Sequence, residues 1–154
     1  MLFVSLTYIL KYTKYLRYMQ NLRTKRHVIY SLHLHLVFVT KYKQKVFTEE
    51  MYESLHFHFD RVCNDFKCKL VETNGEKDHV HLLVETLPHT TPSRLVNSLK
   101  GVSSRFLRQE FSELEKYYWK GGLWSPSYFI ASCGGAPLDI VKQYIENCAH
   151  ERSE

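Results

Sequence analysis

Between Tyr30 and Thr40 the run YSLHLHLVFVT alternates, with Leu32, Leu34, Leu36 and Phe38 on one face and His33, His35, Val37 and Val39 on the other. This predicts a first strand. The period then changes: Met51, Leu55, Phe59, Val62 and Phe66 recur at helical spacing behind Thr48, whose hydroxyl can cap a first turn that carries Glu49 and Glu50. Lys67 to Thr73 predicts a second strand, and Asn74-Gly75 a hairpin turn into a third, DHVHLLVE at Asp78 to Glu85. In that third strand Val80, Leu82 and Val84 face a core, while His79, His81, Leu83 and Glu85 share the other face. Thr91-Pro92 starts a second helix whose buried stripe is Leu95, Leu99, Val102 and Phe106, with Arg94, Arg105 and Arg108 opposite. WSPSYFIASC, from Trp124 to Cys133, reads as a loop entering a short strand. Gly134-Gly135 is a flexible joint, and Pro137 opens a third helix through about Ala149.

The order β-α-β-β-α-β-α predicts an α+β protein of ferredoxin-like, or split β-α-β, architecture with an extra C-terminal helix. Helices would cover one face of an antiparallel sheet and leave the histidine face open to a ligand or a further element. At 154 residues, 44% hydrophobic, the chain can bury one core. The apolar run MLFVSLTYIL is far shorter than the roughly 20 residues of a membrane span. It also lacks the charge order and cleavage site of a signal peptide. Residues 1–24 are therefore expected to be an appendage, with Met19 as an alternative start or the segment as an ordered arm, and residues 25–154 a single domain. A net charge of +5 and a pI near 9.0 favour a polyanionic partner. Cys63, Cys68, Cys133 and Cys148 form no Cys-x-x-Cys pair, which speaks against a zinc ribbon or thioredoxin motif and for a reducing, cytoplasmic setting.

Three His-x-His pairs occur. His56/His58 lies in a predicted helix, where side chains two apart diverge and cannot chelate one ion. His33/His35 and His79/His81 lie on strands, where both rings share a face. Each strand pair reads either as polar residues on a solvated sheet or as half of a metal site, which needs at least one further ligand. In the last helix Tyr144 and Cys148 are one turn apart, and Asn147 lies beside them. The tyrosine oxygen could act as nucleophile and the thiol or amide could approach a metal, yet Val141, Tyr144, Ile145 and Cys148 also make an ordinary apolar stripe. Lys41, Lys43 and Lys45, with Arg94, Lys100, Arg105 and Arg108, could touch phosphates or simply be solvated charge. Phosphate-binding loops, Gly-x-Ser-x-Gly and Rossmann glycines are absent from the sequence.

From about Arg26 to Ala149 the chain resembles the single-tyrosine HUH transposases of small bacterial and archaeal insertion sequences. The resemblance rests on HLHLVFVTKYKQKVF, DHVHLLVE with its His79-Val80-His81, LKGVSSRFLR, LWSPSYFIASCGG, and Tyr144-Ile145-Glu146-Asn147. It implies a single-stranded DNA transposase on a ferredoxin-like, RNA-recognition-motif-like core. It further implies His79 and His81 as metal ligands, Tyr144 as the nucleophile forming a 5′-phosphotyrosine link, and Mg2+ or Mn2+ as the metal. The implied partners are single-stranded DNA with hairpin-forming ends and a second copy of the chain, whose tyrosine helix completes the neighbouring site. Family members place a glutamine four residues after the tyrosine as third ligand, where this chain has Cys148; a thiolate there would favour Zn2+. Three rivals stand beside this reading: a non-catalytic single-strand binder, a domesticated relative that processes chromosomal palindromic repeats, and a structural metal protein.

Overall fold

The structure is a computed structural model that describes residues 23–118 and 120–132. Residues 33–132 form one compact unit, and residues 23–32 belong to another. In the latter, β1 (Arg23–Lys25) and β2 (Val28–Tyr30) make a short antiparallel hairpin with Thr24 opposite Ile29. Its first strand straddles the boundary expected at residue 24.

The main sheet contains β3 (Leu32–Val39), β4 (Lys69–Glu76), β5 (His79–Thr86) and β6 (Phe129–Ser132), in the spatial order β4-β5-β3-β6. The pairs β4–β5 and β3–β6 are antiparallel. With α1 (Glu49–Asp65) between β3 and β4, and α2 (Pro92–Glu110) between β5 and β6, this is the expected ferredoxin-like α+β order. Thr48 caps α1 as its position predicts, its Oγ1 accepting from the Met51 amide at 3.3 Å. Leu36, Phe38, Val80, Leu82 and Val84 from the sheet meet Met51, Leu55, Phe59 and Val62 of α1 and Leu95, Leu99 and Leu107 of α2 in one core. The Cys63 and Cys68 thiols are free and buried.

Three expectations change. The β4–β5 turn is Lys77-Asp78, and Asn74-Gly75 lies inside β4, paired with His81 and Val80. Gly75 is there for close approach: a Cβ would fall 2.2 Å from the His79 carbonyl oxygen and 2.6 Å from Tyr52 Oη. The buried stripe of α2 runs through Ser103, Ser104 and Leu107, and Phe106 lies outside it, stacked on the His58 ring at 4.7 Å. The serines are satisfied: Ser103 Oγ donates to Leu99 O (2.6 Å) and accepts from Trp124 Nε1 (2.9 Å), and Ser104 Oγ accepts from Leu123 N (3.0 Å). Thr91 holds the N-cap position of α2 but makes no side-chain capping bond. The third helix expected from Pro137, together with Gly134-Gly135, lies outside the described residues. No described helix is long and apolar enough to cross a membrane.

Candidate functional site

Alternation in β3 and β5, neighbours in the sheet, brings His33, His35, His79 and His81 to one face. On that face His35 and His81 are each 6% exposed, and Leu83 and Glu85 are buried beside them. The rings pack on one another. His35 Nε2 and His81 Nδ1 are hydrogen-bonded at 3.1 Å with ring centroids 5.4 Å apart, and Phe129 of β6 meets His35 edge-on at 5.6 Å. His79 stands T-shaped to His81 at 5.1 Å, its Nδ1 held by Asp78 Oδ1 at 2.7 Å. Burial pulls the His35 and His33 pKa values down, and Glu85, 3.8 Å from His33, opposes the shift only at His33. A neutral His35 can accept through Nε2 from an Nδ1–H of His81.

The turn that presents His79 is braced from several sides. Tyr52 Oη of α1 lies 2.5 Å from Glu76 O and 2.7 Å from His79 O and donates to this carbonyl pair. Thr40 N donates to Asp78 O at 2.8 Å, and Val46 N and Phe47 N both donate to Lys77 O. Carboxylate oxygens of Glu76 and Asp78 and a ring nitrogen of His79 lie within 4.8 Å of one another.

The donor set fits a divalent ion. Nδ1 of His79 and of His81 is engaged by a neighbour, the arrangement in which a histidine ligates through Nε2 with its ring orientation held by the other nitrogen. Asp78 holds the Nδ1 side of His79, so it orients the ring from outside the ion's own ligands. Tyr144 and Cys148 lie outside the described residues.

The basic candidates separate. Lys41 and Lys43 sit in a 3-10 turn directly after β3, beside the Asp78 edge. Arg94 is exposed in the first turn of α2, while Arg105 and Arg108 lie near its other end. Lys100 is engaged within the protein: its ammonium donates to Ser125 O at 2.7 Å and Pro126 O at 3.2 Å, and burial lowers its pKa. Of the other histidine pair, His56 is exposed and bonded to Thr73 Oγ1, whereas His58 is buried against Glu110. The two therefore diverge as helical geometry requires.

Sequence reasoning singled out His79 and His81 but passed over their supports. His35 gave a signal, being on the same strand face, yet its pairing to His81 depends on strand order. Asp78, adjacent to His79, could have been found from its position. Tyr52 left no signal, because only the packing of α1 on the hairpin brings it there.

Comparison with known proteins gives the family and the fold. A family model described as "Transposase IS200 like" matches residues 28–148. The ISDra2 transposase TnpA of Deinococcus radiodurans is 28% identical over 127 residues, covering 82% of this chain and 91% of that protein. The transposase for insertion sequence element IS200 of Salmonella typhimurium is 26% identical over 123 residues, 78% of this chain and 81% of that one. Among solved structures, a transposase from Deinococcus radiodurans R1 superposes with a TM-score of 0.67 at 31% identity, over 81% of this chain and 96% of its own. A REP-associated tyrosine transposase bound to a REP hairpin shares the fold, with a TM-score of 0.54 at 10% identity over 79% of this chain and 67% of its own.

Proposed function

The chain belongs to the IS200-like transposase family, and from that premise we propose that it cleaves and rejoins single-stranded DNA at insertion-sequence ends, with Tyr144 as nucleophile. The observation that carries this reading is the His79–His81 pair with Nδ1 of each ring engaged, by Asp78 and His35. The Tyr144 oxygen attacks a backbone phosphorus. The bond from phosphorus to the 3′ oxygen breaks, leaving a 5′-phosphotyrosine and a free 3′-hydroxyl. Attack by the 3′-hydroxyl of another strand on that phosphotyrosine rejoins DNA and releases the tyrosine, so no nucleotide cofactor is consumed. A divalent ion held by His79 and His81, Mg2+ or Mn2+, or Zn2+ where Cys148 ligates, would polarise the scissile phosphate. A tyrosine with an ordinary pKa of about 10 needs such a prepared site to react near neutrality.

Lys41, Lys43, Arg94, Arg105 and Arg108 supply phosphate contacts in this reading, and Lys100 contributes by holding the Ser125 and Pro126 carbonyls ahead of β6. The DNA ends form hairpins, a reading supported by the REP hairpin in the structure that shares this fold. The chain acts as a homodimer in which each tyrosine helix completes the partner's site. One observation favours a second reading, a binding protein without cleavage: Cys148 occupies the place of the family's glutamine.

The deciding experiment mixes the protein with labelled single-stranded element ends and Mg2+ or Mn2+, followed by denaturing electrophoresis. A covalent adduct that disappears in Tyr144→Phe is expected. Tight binding without adduct in either metal would overturn the enzyme in favour of the binder.

A further inference from the structure

We propose that Cys63 and Cys68 are a thiol pair that a hydroperoxide converts, in the folded protein, into a reversible disulfide clamping the end of α1 to the start of β4. Both sulfurs belong to the core between the helices and the sheet, on the side of the sheet away from the histidines. The site takes no part in the DNA chemistry and stands independently of the transposase reading.

The way α1 ends forces the two residues together. Lys67 adopts the left-handed conformation at φ +56°, its N–H donates to Asn64 O at 2.9 Å, and the Cys68 N–H reaches back to Cys63 O at 2.8 Å. This is a Schellman turn, whose outer hydrogen bond joins residues five apart and is commonly accompanied by contact between their side chains. Where the turn ordinarily seats two apolar side chains, this chain seats two thiols. A disulfide spans Cα atoms about 4.4 to 6.8 Å apart. The path from one Cα through the carbonyl, the 2.8 Å hydrogen bond and the amide to the other cannot stretch beyond about 7 Å, and bends at every atom. The backbone is therefore already set for the bridge.

The two thiols are not equivalent. Cys63 is wholly buried, and burial first, then the neighbouring charges of Cys68 and Asp60, push its thiol up to about 12, so it keeps its proton. Cys68 is the sulfur with a way out, at 6% exposure, enough for an oxidant little larger than water. Its Sγ lies 3.5 Å from Thr90 Oγ1 in the loop before α2. That oxygen already accepts from Leu87 N at 3.2 Å, which leaves its own hydrogen to donate to a Cys68 thiolate.

The chemistry follows from these roles. The Cys68 thiolate attacks one oxygen of hydrogen peroxide, the O–O bond breaks, and a sulfenic acid on Cys68 and a hydroxide ion result. The hydroxide takes up the proton that Cys68 gave up. The Cys63 sulfur then attacks the Cys68 sulfur, the S–O bond breaks, and the Cys63 proton departs with the hydroxyl as water. In all, the thiol pair loses two electrons and two protons and the peroxide becomes two waters. A dithiol reverses the step by thiol–disulfide exchange.

The test treats the folded, full-length protein with hydrogen peroxide, with glutathione in the same tube to report that the oxidant acted. Remaining thiols are then alkylated in denaturant, and the chain is cut with trypsin and weighed. Cleavage after Arg61, Lys67 and Lys69 separates the two cysteines, so a bridge appears as the fragments 62–67 and 68–69 joined, two hydrogens lighter than the free pair. That joined pair is expected, and it should vanish when dithiothreitol precedes alkylation. The oxidised protein should melt at least about 3 °C above the reduced one, the effect of closing a short loop. In Cys63→Ala the reaction should stop at the Cys68 sulfenic acid, which dimedone traps; if that variant does not fold, the parent's digest decides alone. Cys63 and Cys68 both alkylated while glutathione is oxidised overturns the proposal, as does Cys68 joined to Cys133, to Cys148 or to a second molecule. A joined pair with no rise in melting temperature overturns the clamp.

Discussion

His35 shows how a residue outside the named motif can govern one inside it. Its Nε2 faces His81 Nδ1 at 3.1 Å in a buried setting, and where it accepts from an Nδ1–H of His81, that ring presents Nε2. His35→Ala should leave a folded protein whose Mn2+ affinity, read by isothermal titration, falls about 10- to 100-fold. Unchanged affinity would make the contact mere packing. Gly75 is a different case, because it excludes a side chain where the backbone of β5 comes closest. Gly75→Ala puts a Cβ 2.2 Å from the His79 carbonyl oxygen, a clash only movement of the hairpin can relieve. A loss of more than about 2 kcal/mol in chemical denaturation is expected, with weaker metal binding because His79 moves along with its carbonyl. The Asn74-Gly75 pair reads as a turn in the sequence because both residues suit one. The actual reason for the glycine is the close approach of the His79 carbonyl across the hairpin, with Tyr52 Oη beside it, which the dipeptide alone does not record.

The elements were largely legible and their faces less so. Alternation in β3 and β5 and the 3.6-residue period of α1 are local, and each was recoverable from Leu36, Phe38, Leu55 and Phe59 alone. The inward serines of α2 were not, because Ser103 and Ser104 are polar and their burial makes sense only once Leu123 and Trp124 are seen to take their hydrogen bonds. Tyr52 ties α1 to the β4–β5 turn, and Tyr52→Phe should cost about 1 kcal/mol, a melting shift of roughly 2 to 4 °C. A second tie joins α1 to α2: Ser54 Oγ donates to Glu110, which also accepts from His58 Nε2 at 2.7 Å. The Ser54 bond, the largest cause, holds the Glu110 carboxyl below its ordinary 4.5; burial, next in size, opposes it, and the bond and charge of His58 add smaller pulls downward. A carboxylate with a depressed folded pKa stabilises fully above its unfolded value and loses that contribution as pH falls through the folded one. Glu110→Gln should therefore lower the melting temperature at pH 7 and differ progressively less from the parent below pH 4.5. A difference that stays constant down to acid pH would show that the carboxylate charge plays no part.

At the scale of the molecule, the ferredoxin-like order follows from the sequence of elements, but the pairing of the two histidine strands has no local sequence signature. The β4-β5-β3-β6 order is what lets residues 35 and 81 meet. The proposed metal ligand His81 and the proposed nucleophile Tyr144 are far apart in the chain, and the functional reading joins them across two subunits. That arrangement has a signature that a single-subunit site lacks. In a mixed dimer of His81→Ala and Tyr144→Phe chains, exchange of the tyrosine helix unites the intact histidines of one chain with the intact tyrosine of the other at one of the two sites. If each subunit used its own tyrosine, both sites would carry a defect. Random pairing of equal amounts makes half the dimers mixed, each with one live site, so cleavage should return to about a quarter of the parent's. Each variant alone should be inactive. A mixture as inactive as its components, after subunit exchange has been verified with differently tagged chains, would place each tyrosine in its own subunit's site.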